Sequence, residues 1–257
     1  MNEEVCEKVS NWLDSYLESS GLQSFVIGVS GGIDSAVTSA LCAKTNRPTI
    51  VLNIPINSSE ENTALSTEQC DWLTENYENV RVFNFDLSLV YETFKTTVLD
   101  QTEVSDLGLA NTKSRLRMVL LYYLASVSKG IVVGTGNRVE DFGVGFYTKY
   151  GDGGVDVSPI ADFTKTQVRQ LASALNIPTA VLEAPPTDGL WEDGRTDQDQ
   201  IGASYEELEW AMDYVDNNRK KDLTDRDKEV LELFHNYRNS NRHKMLPIPI
   251  FSARENL

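Results

Sequence analysis

Eight residues decide where this chain must turn and what it must leave open there. Gly28-Val29-Ser30-Gly31-Gly32-Ile33-Asp34-Ser35 follows an apolar run, Phe25-Val26-Ile27, and leads into a helix-like stretch from Ala36 to Lys44. A strand that turns through paired glycines into a helix leaves backbone N–H groups unpaired. The positive end of the helix dipole points at the same spot, so the turn is an anion site. Ser30, Ser35, Gly31 and Gly32 let the backbone close around a phosphate, and Asp34 is placed to hold a magnesium ion. The order S-G-G-x-D-S lacks the Gly-Lys-Ser/Thr of a Walker loop, which weighs against a kinase or GTPase. An ordinary strand–turn–helix is the plain alternative.

At 257 residues the chain can bury a full core, and one α/β domain over 1–257 suffices. The net charge of −16 argues against a DNA or RNA partner, which needs a basic footprint. An acidic protein with an anionic ligand must instead gather its positive charges locally, helped by magnesium. No apolar run approaches the ~20 residues of a membrane span. The acidic start, Met1-Asn-Glu-Glu, has no signal-peptide core. Cys6, Cys42 and Cys70 are few, far apart and odd in number, which points to small core residues in a reducing cytoplasm.

Apolar spacing predicts a helix over 3–20, a strand at 25–29 and a helix to about 45. Further strands are expected at 49–53, 80–85 and 130–134, and helices at 60–77, 87–99 and 114–128. The alternation reads as a doubly wound, mostly parallel sheet with helices on both faces. Right-handed crossovers place the first strand centrally and the ligand at the carboxyl ends of the strands. Beyond 134 the pattern changes. Residues 134–163 are rich in Gly and Asp, helices are expected at 164–175, 204–217 and 224–241, and 184–203 reads as a long loop rich in Pro, Gly and acids. Residues 184–200 and about 56–62 have little to bury and are expected to close over bound ligands.

Two further segments carry chemistry. Gly134-Thr-Gly-Asn-Arg-Val-Glu140 sits where the fourth strand ends, facing the same crevice as the first loop. Glu140 there can complete magnesium coordination with Asp34, or be a solvated glutamate in a glycine turn. In Thr148-Lys-Tyr-Gly-Asp-Gly-Gly-Val-Asp156 the glycines permit close backbone approach, and Lys149, Asp152 and Asp156 are spaced for polar recognition. A calcium loop would need more regularly spaced acids.

The loop at 28–35 resembles the phosphate loop of ATP pyrophosphatases. The full set, in order, is GVSGGIDS, NTKSRLRM at 111–118, GTGNRVED at 134–141, FYTKYGDGGVD at 146–156, SPIADFTKTQVRQLA at 158–172, PTDGLWEDGRTDQDQIG at 186–202 and RHK at 242–244. Together these resemble the ammonia-dependent NAD⁺ synthetases over about residues 25–250. The resemblance implies a Rossmann-like fold of the adenine nucleotide alpha hydrolase type. It also implies a two-step reaction: the nicotinate carboxylate of deamido-NAD attacks the ATP α-phosphorus, pyrophosphate leaves, and ammonia then displaces AMP from the adenylate. No covalent nucleophile is required, only positioning and charge stabilisation.

By matched position, the resemblance puts Gly28, Val29, Ser30, Gly31, Gly32, Ile33, Asp34 and Ser35 on ATP, with Thr135, Lys165 and Thr196. Asp34 and Glu140 take Mg²⁺. Arg115, Lys149, Asp156, His243 and Lys244 take deamido-NAD. Arg115 and Arg117, two apart on one helix, should point different ways. The family also implies a homodimer with deamido-NAD partly across the interface. The hydrophobic character of 114–128 nearly all round agrees with burial in the core or between subunits. With no amidase nucleophile in view, the nitrogen source is free ammonia or a separate ammonia-releasing enzyme.

Two features depart from the family pattern: Gln198 stands where Glu is common, and Asn57-Ser-Ser-Glu-Glu-Asn62 matches no recognised motif. The rivals are other adenylating enzymes and a nucleotide sensor without turnover. Thiolating and lysidine-forming tRNA enzymes conflict with the acidic charge, and a guanylate synthetase would lack KYGDGG.

Overall fold

A computed structural model describes residues 2–187, 189–191, 194–217 and 222–253. Its first half alternates helix and strand: α1 (Asn2–Ser20), β1 (Ser24–Val29), α2 (Ile33–Lys44), β2 (Thr49–Asn53), α3 (Glu60–Asn76) and β3 (Val80–Asn84). Then follow α4 (Ser88–Leu99), α5 (Asp106–Ser128) and β4 (Gly130–Val132). All pairings are parallel in the order β3-β2-β1-β4, with Val26 opposite both Ile50 and Val132. The chain steps outward from β1 through β2 to β3, then returns through α4 and α5 to β4 on the other side of β1. The strand order therefore reverses between β1 and β4, and a crevice opens at their carboxyl ends.

Successive residues of β1 point to opposite faces, and both faces are covered. Phe25 and Ile27 pack with Leu13 of α1 and Leu41 of α2. Val26 packs with Leu52, Val132 and, on α5, Leu124 and Ala125. α2 is buried along most of its length, so it reads as apolar on all sides.

After β4 comes a π-helix, Arg138–Val144, then α6 (Lys165–Ala174), α7 (Thr179–Glu183), α8 (Asp197–Ile201), α9 (Tyr205–Asp216) and α10 (Asp225–Met245). The π-helix, α9 and α10 enclose an apolar cluster around Val139, Leu208 and Phe234.

Four details differ from the sequence expectation. α5 begins at Asp106 rather than at 114, because the Ser105 side chain caps it by accepting from the Gly108 N–H. Residues 106–113 mix Leu107, Leu109 and Ala110 with polar residues and a glycine and carry little apolar period. β4 ends at Val132 instead of 134, although Val133 still bridges Val157 in parallel. The stretch expected to be irregular holds the π-helix, whose start is fixed by the Asn137 side chain accepting from the Val139 and Glu140 N–H groups. Finally, α5 is not covered all round: Val119, Tyr123 and Val127 are 59%, 65% and 66% exposed along one stripe.

Candidate active site

The crevice at the β1/β4 switch point is a cleft of about 990 Å³. Its floor is the 28–35 loop. Gly31 has φ +85°, and a Cβ there would lie 2.8 Å from the Leu65 Cβ, so the turn needs glycine both for its backbone and for its room. Gly32 precedes α2 in extended conformation and contributes no side-chain cap. The turn is held by its own serines: the Ser30 N–H donates to Ser35 Oγ at 3.2 Å, and Ser35 Oγ donates to the Gly32 carbonyl at 2.9 Å. The result is a rigid cradle at a helix N-terminus.

Beside the cradle stands a buried charge cluster. Lys165 Nζ lies 2.5 Å from Asp34 Oδ2 and 3.0 Å from Glu140 Oε1. A lysine at a helix start is ordinarily solvated, yet Lys165 is 3% exposed, held where the Thr164–Gln167 capping box begins α6. Burial acts against its charge, but the two carboxylates outweigh it and its pKa is raised. Burial also pushes Asp34 up, partly opposed by Lys165. Glu140 stays below the usual carboxylate value because Lys165, Tyr205 and Asn137 outweigh its burial. Asn137 donates from Nδ2 to Asp34 Oδ1 at 3.4 Å, so the residue that starts the π-helix also touches the first loop.

Among the described residues no three His, Cys, Asp or Glu side chains converge as a metal cage. Two hard carboxylates at the lip of a phosphate cradle still fit Mg²⁺. That ion commonly takes one or two carboxylates and completes its octahedron with substrate phosphates and water.

The opposite wall is cationic. Arg115 Nε donates to the Lys149 carbonyl at 3.3 Å, Lys149 Nζ to the His243 carbonyl at 3.1 Å, and Lys244 Nζ to the Tyr147 carbonyl at 2.7 Å. α5, the 147–154 turn and the end of α10 are thus stitched together. Arg117 points elsewhere, as expected, donating to the Ile54 carbonyl at 3.0 Å, and also lines the cleft. Among the described lining residues, Arg115, Arg117, Lys149, Lys165, Arg195 and Lys244 stand against Asp34, Glu140, Asp141, Asp152, Asp197 and Asp199. Six against six makes the cleft near neutral in a chain of net charge −16, so anions meet far less repulsion there than elsewhere.

Thr135 lines the cleft. Two expected ligand residues are engaged elsewhere. The Thr196 hydroxyl is part of the α8 capping box, donating to Asp199 Oδ2 at 2.7 Å. Asp156 accepts from the Tyr122 hydroxyl and from the Val132 N–H, each at 2.8 Å, beside β4 and α5. Of the 184–200 stretch, residues 188, 192 and 193 lie outside the described residues.

The sequence singles out Asp152 but neither Lys113 nor Tyr205. Buried Lys113 donates to the Leu190 carbonyl at 3.1 Å. The Tyr205 hydroxyl lies 2.5 Å from Glu140 Oε1 and 2.8 Å from Asp197 Oδ2. Asp152 is held by Ser114 Oγ at 2.6 Å and the Thr148 N–H at 3.0 Å, yet desolvation of its carboxylate raises its pKa. The Ser204-x-x-Glu207 capping box could have marked the start of α9, but a capping box says nothing about where the next ring points.

The chain matches the model of the NAD synthase family over residues 5–247. It is 32% identical over 257 residues to the NH(3)-dependent NAD(+) synthetase of Archaeoglobus fulgidus, covering 98% of each chain. It is 35% identical over 225 residues to the enzyme of the same name from Finegoldia magna, covering 86% of this chain and 89% of that one. Among solved structures it is similar to an NMN synthetase from Francisella tularensis, with 31% identity, a TM-score of 0.86, and 98% and 99% of the two chains covered. The NH3-dependent NAD synthetase of Campylobacter jejuni shares the fold at a TM-score of 0.80, with 22% identity and coverage of 98% and 100%. On the family model and these relatives, the chain belongs to the NAD synthase family.

Proposed function

We propose that this protein is a ligase that converts deamido-NAD to NAD with ATP and ammonia, releasing AMP and pyrophosphate. The observation that carries the reading is the Asp34–Lys165–Glu140 cluster set against the 28–35 cradle. A carboxylate is a poor acceptor for ammonia, so it must first be given a leaving group. One nicotinate oxygen forms a bond to the ATP α-phosphorus, and the bond to the β-phosphate bridge breaks as pyrophosphate departs. The ammonia lone pair then attacks the acyl carbon, AMP leaves with the former carboxylate oxygen, and a proton is lost from nitrogen.

The chain's part is to bind and orient. Backbone N–H groups of the cradle, with Thr135, face the ATP phosphates, and Lys165 spreads their charge. Asp34 and Glu140 are the residues that would hold Mg²⁺, which when bound neutralises phosphate charge and polarises the leaving group. Arg115, Lys149, His243 and Lys244 face the pyridine nucleotide, and Asp156 joins them if it leaves its bonds to Tyr122 and Val132. Thr196 reaches ATP when α8 approaches the nucleotide.

The active form is a homodimer. α5 leaves Val119, Tyr123 and Val127 bare, and neighbouring α4 exposes Leu89 and Phe94. A stripe of that kind is a natural surface for a second copy. Free ammonia is the direct nitrogen donor, or a separate enzyme supplies it. Three buried free thiols suit a reducing cytoplasm.

The likeness to the Francisella tularensis NMN synthetase favours a second reading, in which the acceptor is the mononucleotide rather than the dinucleotide. Purified protein with ATP, Mg²⁺ and ammonium, offered each acceptor in turn, separates them. A higher kcat/KM for deamido-NAD supports the first reading, and a higher value for nicotinate mononucleotide replaces it with the second.

A further inference from the structure

Tyr205 touches three charged members of the site at once. Its hydroxyl lies 2.5 Å from Glu140 Oε1 and 2.8 Å from Asp197 Oδ2, and its ring centroid is 4.7 Å from Lys165 Nζ. The side chain is 6% exposed and its ring belongs to the apolar cluster around Phe234. Its backbone is the first residue of α9, locked by the Ser204–Glu207 capping box. Tyr205 is therefore a fixed point. Glu140 reaches it from the π-helix after β4, and Asp197 reaches it from the start of α8.

A phenol carries one hydrogen and can serve one acceptor at a time. Two carboxylate oxygens at hydrogen-bond distance from that one hydroxyl are thus coupled. Whatever draws Glu140 toward the phosphate loop changes how Asp197 is held, and the reverse. The ring alone would satisfy the core, whereas the hydroxyl is spent wholly on the site.

We propose that Tyr205 is a positioning residue: its hydroxyl aims the Glu140 carboxylate at the cation site and fastens Asp197, and with it the start of α8, to the same point. This rests on the reading of Glu140 as a cation ligand. Groups that orient a metal ligand from behind commonly matter about 10- to 100-fold in affinity or activity.

Tyr205→Phe keeps the ring and its packing and deletes only the hydroxyl. The test titrates Mn²⁺ into wild type and variant, each saturated with α,β-methylene ATP, and follows free Mn²⁺ by EPR. Urea midpoints and steady-state kinetics accompany it. The expected result is an unfolding midpoint close to wild type, Mn²⁺ affinity weakened about tenfold or more, and a lower kcat with unchanged KM for ammonia. Asp197→Ala leaves the ring in place and the hydroxyl to Glu140 alone, so it should bind Mn²⁺ at least as tightly as wild type. It carries the test if the Phe variant does not fold. Mn²⁺ affinity equal to wild type in Tyr205→Phe, or weaker than wild type in Asp197→Ala where that variant stands in, would overturn the proposal. Asp34→Asn is the control for the underlying reading. If it too leaves Mn²⁺ binding unchanged, the cation assignment itself is wrong; if it weakens binding and the Tyr205 variant does not, only the role of Tyr205 is lost.

Discussion

Lys165 Nζ sits 2.5 Å from Asp34 Oδ2, joining the first helix turn after the phosphate loop to the first residue of a helix that begins 131 positions later. With Glu140 at 3.0 Å on the same ammonium, the cluster holds two half-buried carboxylates against one buried cation. That imbalance costs stability and is what a cation and phosphates would relieve, so function and stability should separate on substitution.

Asp34→Asn or Glu140→Gln leaves a balanced pair around Lys165. Each should alter folding stability by less than about 1 kcal/mol, because the surviving charges remain paired. Turnover should fall about 10²- to 10³-fold, the scale of losing one group that stabilises transition-state charge. Lys165→Met strands two carboxylates in the same buried site and should cost about 3–5 kcal/mol. Urea midpoints with steady-state rates at saturating Mg²⁺ check all three. Near-normal turnover in Asp34→Asn would remove the metal assignment.

Asp152 makes a pH-dependent contribution of predictable sign. Desolvation of its carboxylate raises its folded pKa above the unfolded value, against the hydrogen bonds from Ser114 and Thr148. The folded state then binds more protons than the unfolded one across that window. Its contribution is complete below the unfolded carboxyl value of about 3.9 and is lost as pH rises through the folded pKa. Asp152→Asn keeps an acceptor for both donors without a charge to desolvate. The variant's stability should fall less than wild type's as pH rises from about 4. Denaturant midpoints at stepped pH report the two slopes, and parallel slopes would contradict the assignment.

The bare stripe on α5 predicts the oligomer. Val119→Glu places a charge in the stripe it forms with Tyr123 and Val127, where a second copy would bury it unpaired. Light scattering should show a dimer for wild type and the 28.7 kDa monomer for the variant. A wild type that is monomeric and fully active at sub-micromolar concentration would refute the dimer.

Only unprotonated ammonia has the lone pair that attacks the adenylate. At fixed total ammonium, activity limited by that step should rise with pH between about 7 and 9. Replotted against free ammonia, the rates should collapse toward one curve. A persistent rise on that axis would point to a titrating protein group instead.

Local sequence made much of this legible. The alternation of apolar runs predicted a parallel sheet with β1 inside it, and paired glycines after a strand marked the cradle. Apolar period failed where polar capping set the boundary, as at Ser105 for α5 and Asn137 for the π-helix. It also could not see side-chain direction. Lys165 at a helix start and Tyr205 behind a capping box look solvated in sequence, and both are buried because α6 and α9 approach the switch point from elsewhere in the chain. Thr196 and Asp156 show the converse, matched motif positions whose side chains are occupied by other bonds, Thr196 in its own capping box and Asp156 with distant Tyr122. Only tertiary contacts distinguish these cases.

The most direct test of the whole account is a ³¹P NMR product analysis of the purified chain with ATP, Mg²⁺, ammonium and deamido-NAD. The account predicts AMP and pyrophosphate in equal amounts, matched by NAD, with glutamine a poor substitute for ammonium. ADP and orthophosphate as products would contradict the reading of the 28–35 loop and, with it, the account of the site.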